Sequence, residues 1–113
     1  MTITERQVGD VTILDLKGKI TLDLGSDEFE ATTRGLADGG QKQFIVNFAD
    51  CPYIDSAALA ALVRNFTYVS RRGGKLKLMN LPKRIVDLLM ITKLLTTFEI
   101  FEDEQTALAS FAD

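Results

Sequence analysis

Gln43-Phe44-Ile45-Val46-Asn47-Phe48-Ala49-Asp50-Cys51-Pro52-Tyr53-Ile54-Asp55-Ser56-Ala57-Ala58-Leu59 decides the fold class. The apolar run at its start is too short for a buried helix. It predicts a strand over residues 43–48, covered on both faces. Cys51–Ile54 predicts a loop, because the residue before Pro52 avoids helical geometry. A helix then runs from Ser56 to Arg72. Leu59, Leu62, Val63, Phe66 and Val69 recur at helical spacing and form its inner face, with Arg64, Asn65 and Arg71 expected outside. Asp55 and Ser56 suit the helix start, and Gly73-Gly74 suits the stop.

The flanks extend this pattern. Thr2–Val8 and Val11–Leu16 predict two strands joined at Gly9-Asp10 as a hairpin, with Val11, Ile13 and Leu16 turned inward. Ser26–Leu36 predicts a helix that buries Phe29, Thr33 and Leu36 and stops at Gly39-Gly40. Ser26 or Asp27 is expected to accept backbone N–H bonds at its start. Lys75–Met79 alternates polar and apolar residues as a strand does. Pro82 opens a helix that buries Ile85, Leu88 and Leu89. Thr97–Phe101 reads as a last strand. Glu102-Asp103-Glu104 starts a last helix, Gln105–Ala112, with Ala107, Leu108 and Phe111 apolar. The order β-β-α-β-α-β-α-β-α predicts an α/β fold. It comprises a mixed sheet of about five strands, an N-terminal hairpin and about four helices. No repeat, linker or low-complexity segment divides the chain, so residues 1–113 are expected to form one domain.

Composition narrows the chemistry. The 113 residues include no histidine, no tryptophan and a single cysteine. Without histidine, the commonest general base, the Ser-His-Asp triad and the usual zinc sets are excluded. One cysteine excludes an internal disulfide and CxxC redox chemistry. Gly73-Gly74 has no dinucleotide-loop context. No catalytic, metal or cofactor residues are therefore assigned. The net charge is −3, distributed as −5 over residues 1–63, +7 over 64–84 and −5 over 85–113. The basic run Arg64, Arg71, Arg72, Lys75, Lys77, Lys83 and Arg84 could face an acidic partner. Solvated faces that cancel locally are the commoner outcome, and Arg71 and Arg72 suit a helix C-terminus. An acidic chain with few interleaved aromatics argues against nucleic acid. Cys51 has no basic neighbour in sequence and reads as an inert small residue. Glu99, Glu102, Asp103 and Glu104 read as helix-start and solvated carboxylates. The longest uncharged stretches, Ser56–Val63 and Gln105–Ala112, are far below the ~20 residues of a membrane span. With no leader pattern at Met1–Arg6, a cytoplasmic location is expected.

The chemistry-bearing position is Ser56. A helix N-terminus offers unpaired N–H groups and partial positive charge, which would favour a phosphoryl group there. From spacing alone, a capping Asp55 or Ser56 is the commoner reading.

The chain resembles the STAS-domain family, in particular the single-domain anti-sigma factor antagonists, over nearly its whole length. Leu16-Lys17-Gly18-Lys19-Ile20 is similar to the family's Leu-x-Gly-x-Leu/Ile. Val46–Asp50 with Tyr53-Ile54-Asp55-Ser56 is similar to its third strand and phosphorylation loop, and Gly73-Gly74-Lys75-Leu76 and Leu94–Phe111 follow its pattern. The family usually reads Asp-Ser-Ser/Thr-Gly-Leu where this chain has Asp55-Ser56-Ala57-Ala58-Leu59, and often has aspartate where this chain has Thr21, with Asp23 two residues on. The resemblance implies Ser56 as phosphoacceptor and Asp23, Asp55, Ser56, Ala57 and Ala58, with the exposed face of the following helix, as the partner-binding surface. It implies two partners: an anti-sigma factor serine kinase, sequestered by the unphosphorylated form so that a sigma factor is freed, and a metal-dependent serine phosphatase. The alternative it leaves open is an unphosphorylated STAS module serving as a subunit of a sensory or lipid-transport complex.

Overall fold

The computed structural model describes residues 1–112, so Asp113, the last residue of the expected domain, lies outside the described residues. The elements are β1 (Thr2–Val8), β2 (Val11–Lys17), α1 (Ser26–Asp38), β3 (Gln43–Asp50), α2 (Ser56–Arg71), β4 (Lys75–Met79), α3 (Lys83–Ile91), β5 (Ile100–Phe101) and α4 (Glu104–Ala109). They build a mixed five-stranded sheet in the order β1-β2-β3-β4-β5. β1 and β2 form the antiparallel hairpin, and β2, β3, β4 and β5 pair in parallel. The expected α/β architecture is the one observed.

Strand alternation assigns side chains to two cores. Leu14, Leu16, Phe44, Val46, Phe48, Leu76 and Leu78 point into the main core, where they meet Phe29 of α1, Leu59 and Leu62 of α2, and Ile85 and Leu89 of α3. Val11, Ile13, Ile45 and Met79 point the other way and meet Ala107, Leu108 and Phe111 at and just after α4. Both faces of the central strands are therefore covered. Val11 and Ile13 face one layer and Leu16 the other, so the three do not share a single inner face as their joint inward assignment implied.

Three further expectations change for local reasons. Asn65 is not on the outer face of α2 but fully buried, and neither its side-chain nitrogen nor its oxygen has a partner among the described residues. Positions 62, 65 and 69 follow the i, i+3, i+7 spacing of one helical stripe, so Leu62 and Val69 carry Asn65 inward. Lys77, expected with the basic run on solvated faces, is 2% exposed. The second layer covers it, and its Nζ donates to the Ser110 carbonyl (3.2 Å) and Oγ (2.9 Å) and lies 4.2 Å from the Phe111 ring centroid. The last strand is only Ile100–Phe101, because Thr97 closes a turn onto the Leu94 carbonyl and Phe98 turns into the core, edge-on to Phe66.

Helix ends also differ. α1 is not capped by Ser26 or Asp27; Gly25, at φ 95°, occupies the cap without a side-chain bond, and Ser26 is buried. α4 begins at Glu104 and ends at Ala109, with Asp103 accepting from the Thr106 N–H at 2.7 Å. The basic run does not form one face. Arg64 pairs with Glu30 (2.9 Å), Arg72 with Asp38 (3.1 Å) and Lys83 with Asp87 (3.1 Å), while Lys77 is inside.

Gly74 sits where the end of α2 returns into β4. A Cβ there would collide with the Lys42 carbonyl oxygen and lie 2.8 Å from Val69 Cγ1. Gly74→Ala is expected to cost about 1–3 kcal/mol, the range for forced overpacking, as read by urea denaturation. The exposed Gly35 of α1, where a Cβ meets nothing within 4 Å, is the control. Gly35→Ala should leave stability unchanged or raise it by up to about 1 kcal/mol through helix propensity.

Candidate functional site

Parallel pairing brings the C-terminal ends of β2, β3 and β4 to one rim of the sheet. Two segments meet there: the turn after β2, residues 18–25, and the loop from β3 into α2. Gly18 N–H donates to the Asp50 carbonyl (2.9 Å), Ile20 N–H to the Tyr53 carbonyl (3.1 Å) and Asp55 N–H to the Ile20 carbonyl (3.2 Å). Buried Ile20 and Ile54 anchor the contact from below. The backbone bonds leave the side chain of Asp55 free to act at the surface.

Asp55 is the N-cap of α2. One carboxylate oxygen accepts from the Ala58 N–H at 2.9 Å, and the other accepts from the Leu22 N–H at 2.9 Å. These two donors, Ala58 before Leu22, hold the carboxyl below its ordinary range. One side chain thus ends the helix and fixes the neighbouring turn. Ser56, the first residue of α2, is exposed, with its hydroxyl at the positive end of a 16-residue helix.

The other candidate residues divide clearly. Asp23 is exposed in the turn closed by mutual Thr21 and Leu24 backbone bonds, one residue beyond the N–H that Asp55 holds. Asp23, Asp55 and Ser56 therefore belong to one rim. Ala57 is half-buried. Ala58 is 2% exposed, so its methyl packs inward and it contributes its N–H. A glycine-to-alanine difference at this place in the chain therefore changes the core side of the helix and leaves the hydroxyl-bearing surface as it is.

A cleft of about 240 Å³ opens beside Ser56 and was not legible in the sequence. Tyr53, Ile54, Asp55 and Ser56 line one wall, and Arg84, Leu88 and Ile91 of α3 lie opposite. Leu22 (66% exposed) and Ile91 (79%) leave large apolar surface open in the segments on either side. The signal that could have found these residues is apolar character out of phase: Ile91 falls beyond the buried Ile85/Leu89 stripe, and Leu22 sits in a turn.

Cys51 lies beneath the loop, fully buried, with its thiol donating to the Tyr53 carbonyl at 3.7 Å. Burial pushes its thiol up, which fits an inert packing role. Three carboxylates near α4 are engaged: Asp103 caps the helix, Glu104 pairs with Arg6 and Glu99 with Lys77, while Glu102 is exposed. Among the described residues no cluster of three or more metal-ligating side chains occurs, and no helix is long and apolar enough to cross a membrane.

The STAS domain family model matches residues 2–107. A curated relative, the anti-sigma-B factor antagonist of Bacillus subtilis, is 41% identical over 51 residues, covering 45% of this chain and 47% of that protein. The match thus spans about half the length of the curated relative. Among solved structures, a Thermotoga maritima protein described as an anti-sigma factor antagonist superposes with a TM-score of 0.90 at 20% identity, over 96% of this chain and 92% of that one. The Bacillus cell fate determinant SpoIIAA in its phosphorylated form superposes with a TM-score of 0.78 at 14% identity, over 97% and 99%. At these identities the likeness is one of fold.

The bridging role of Asp55 has a pH signature. Its carboxyl titrates lower in the folded chain than in the unfolded one, so its contribution is complete above the ordinary carboxylate value of about 3.9 and fades as pH falls through the folded value. Asp55→Ala should cost about 1 kcal/mol at neutral pH, the usual worth of an N-cap. Asp55→Asn, which can still cap, should keep most of that stability but flatten the acid limb below about pH 4. Denaturation midpoints from pH 2.5 to 7 would show this, and an unchanged acid limb in Asp55→Asn would contradict it.

Proposed function

We propose that this chain, which belongs to the STAS domain family, acts as an anti-sigma factor antagonist switched by phosphorylation of Ser56. The observation that carries the reading is the placement of Ser56. Its hydroxyl is exposed at a helix start, and Asp55 is held beside it by bonds to Ala58 and Leu22. An acceptor needs an accessible oxygen on a rigid base, and both conditions hold here. The names of the Bacillus subtilis relative and of phosphorylated SpoIIAA support the same assignment.

In this reading the chain performs no chemistry of its own. The kinase supplies ATP and the catalytic groups. The Ser56 oxygen bonds to the γ-phosphorus, the bond to ADP breaks, and the hydroxyl proton leaves to a base or solvent. The unphosphorylated face, comprising Asp23, Asp55, Ser56, the backbone at Ala57 and Ala58, and the outer side of α2, binds the anti-sigma factor kinase and withdraws it from its sigma factor. The phosphoryl group adds about −1.5 to −2 charges beside Asp55, and its desolvation in a contact opposes binding. A metal-dependent serine phosphatase restores the binding form. Apolar Leu22 and Ile91 supply contact area that a charge-only surface would lack.

Two outcomes are expected. Incubation with the cognate anti-sigma kinase and ATP should add one phosphoryl group, read by intact-mass spectrometry, and Ser56→Ala should abolish it. Calorimetry should show the kinase binding Ser56→Asp about tenfold or more weakly than the parent chain, about 1.4 kcal/mol. A phosphoryl group at another residue, or binding to a transporter or sensor subunit without labelling, would overturn the reading.

A further inference from the structure

Arg84 is the charged residue of the cleft left without a partner by everything above. It lies in the first turn of α3, where the helix dipole disfavours a cation, so its position is not explained by the helix itself. Lys83 beside it is paired with Asp87 at 3.1 Å. Arg84 instead places its guanidinium 5.1 Å from the centroid of the Tyr53 ring and makes no ion pair among the described residues. The charged groups lining the cleft are Asp55, Asp87 and Arg84. Asp55 is engaged by two backbone N–H groups and Asp87 by Lys83. Arg84 is the one whose hydrogen-bonding capacity is unspent, and Ser56 lines the same cleft from the opposite wall.

We propose that Arg84 is the positioning residue for the phosphoryl group on Ser56, drawing it into the cleft between α2 and α3. The inference rests on Ser56 being the acceptor. A guanidinium presents a planar fork of donors matched to phosphate oxygens, and it can offer them while staying over the Tyr53 ring. The cleft, lined by apolar Leu88 and Ile91, is then occupied by the modified residue. Phosphorylation on this account acts twice: it adds charge to the rim, and it fills the slot in which a partner side chain would otherwise seat.

The test installs phosphoserine at position 56 during translation, so that no kinase is needed, and follows the second ionisation of the phosphate by phosphorus NMR. A nearby cation favours the dianion. Compared with the parent, Arg84→Gln should raise the midpoint by about half a pH unit, the scale of one exposed ion pair. Arg84→Lys should fall between the two, because it keeps the charge without the fork. The difference should shrink in about 1 M salt. Lys83→Gln, one residue away and already paired, should move the midpoint less than Arg84→Gln. An unchanged midpoint in Arg84→Gln, or an equal rise in Lys83→Gln, would overturn the proposal. Failure of the kinase to label Ser56 would overturn the preceding reading and leave this measurement standing on its own.

Discussion

The parallel register of β2, β3 and β4 is the constraint on which the rest depends. Parallel strands deliver their C-terminal ends to one rim, and every crossover helix must begin there. α2 and α3 therefore start side by side, and the turn after β2 lies against the loop after β3. The Asp55 carboxylate exploits this proximity by bonding Ala58 with one oxygen and Leu22 with the other. A helix start, a turn and a cleft wall are locked together by a single side chain above the buried pair Ile20 and Ile54.

That rigidity bears on the role proposed for Ser56. A histidine-free chain lacks the one side chain whose unperturbed pKa lies near neutral pH. It can still present an oxygen atom in a fixed place and let a second protein do the chemistry. The chain's contribution is then geometric: Ser56 is held on the first turn of a helix whose inner face, with Leu59 and Leu62, is sealed into the main core. Movement of α2 as a body would require moving that core, which is costly.

Much of this was readable from the residues. The apolar run at Phe44–Val46 announced a strand covered twice, and the stripe from Leu59 to Val69 announced α2, because both patterns are local and strong. Asp55 and Ser56 stood out by their place between them. What escaped depended on packing between distant segments. Asn65 was expected outside and is inside, since the spacing from Leu62 to Val69 outweighs its polarity. Lys77 was hidden by a layer more than 25 residues further along the chain. The cleft was invisible because Ser56 and Arg84 are neighbours only after two crossovers are made. Alternation and capping speak about one element at a time; a cleft is a property of two.

The burial of Lys77 against Ser110 and Phe111 makes the two sheet faces unequal in how they can open. On the main-core face, separation of α2 exposes Leu59, Leu62 and the unpaired amide of Asn65, and of these only the amide gains from water. On the other face, release of the short α4 exposes Ile13 and Ile45 and parts the Lys77 ammonium from Ser110 and Phe111, leaving it the ion pair with Glu99 at 3.4 Å. The central strands are covered by α1, α2 and α3 on one face and by α4 and the residues just after it on the other. Ser56 begins the helix whose Leu59 and Leu62 lie in the larger core, so freeing that helix exposes the larger core, whereas release of α4 exposes only the smaller one.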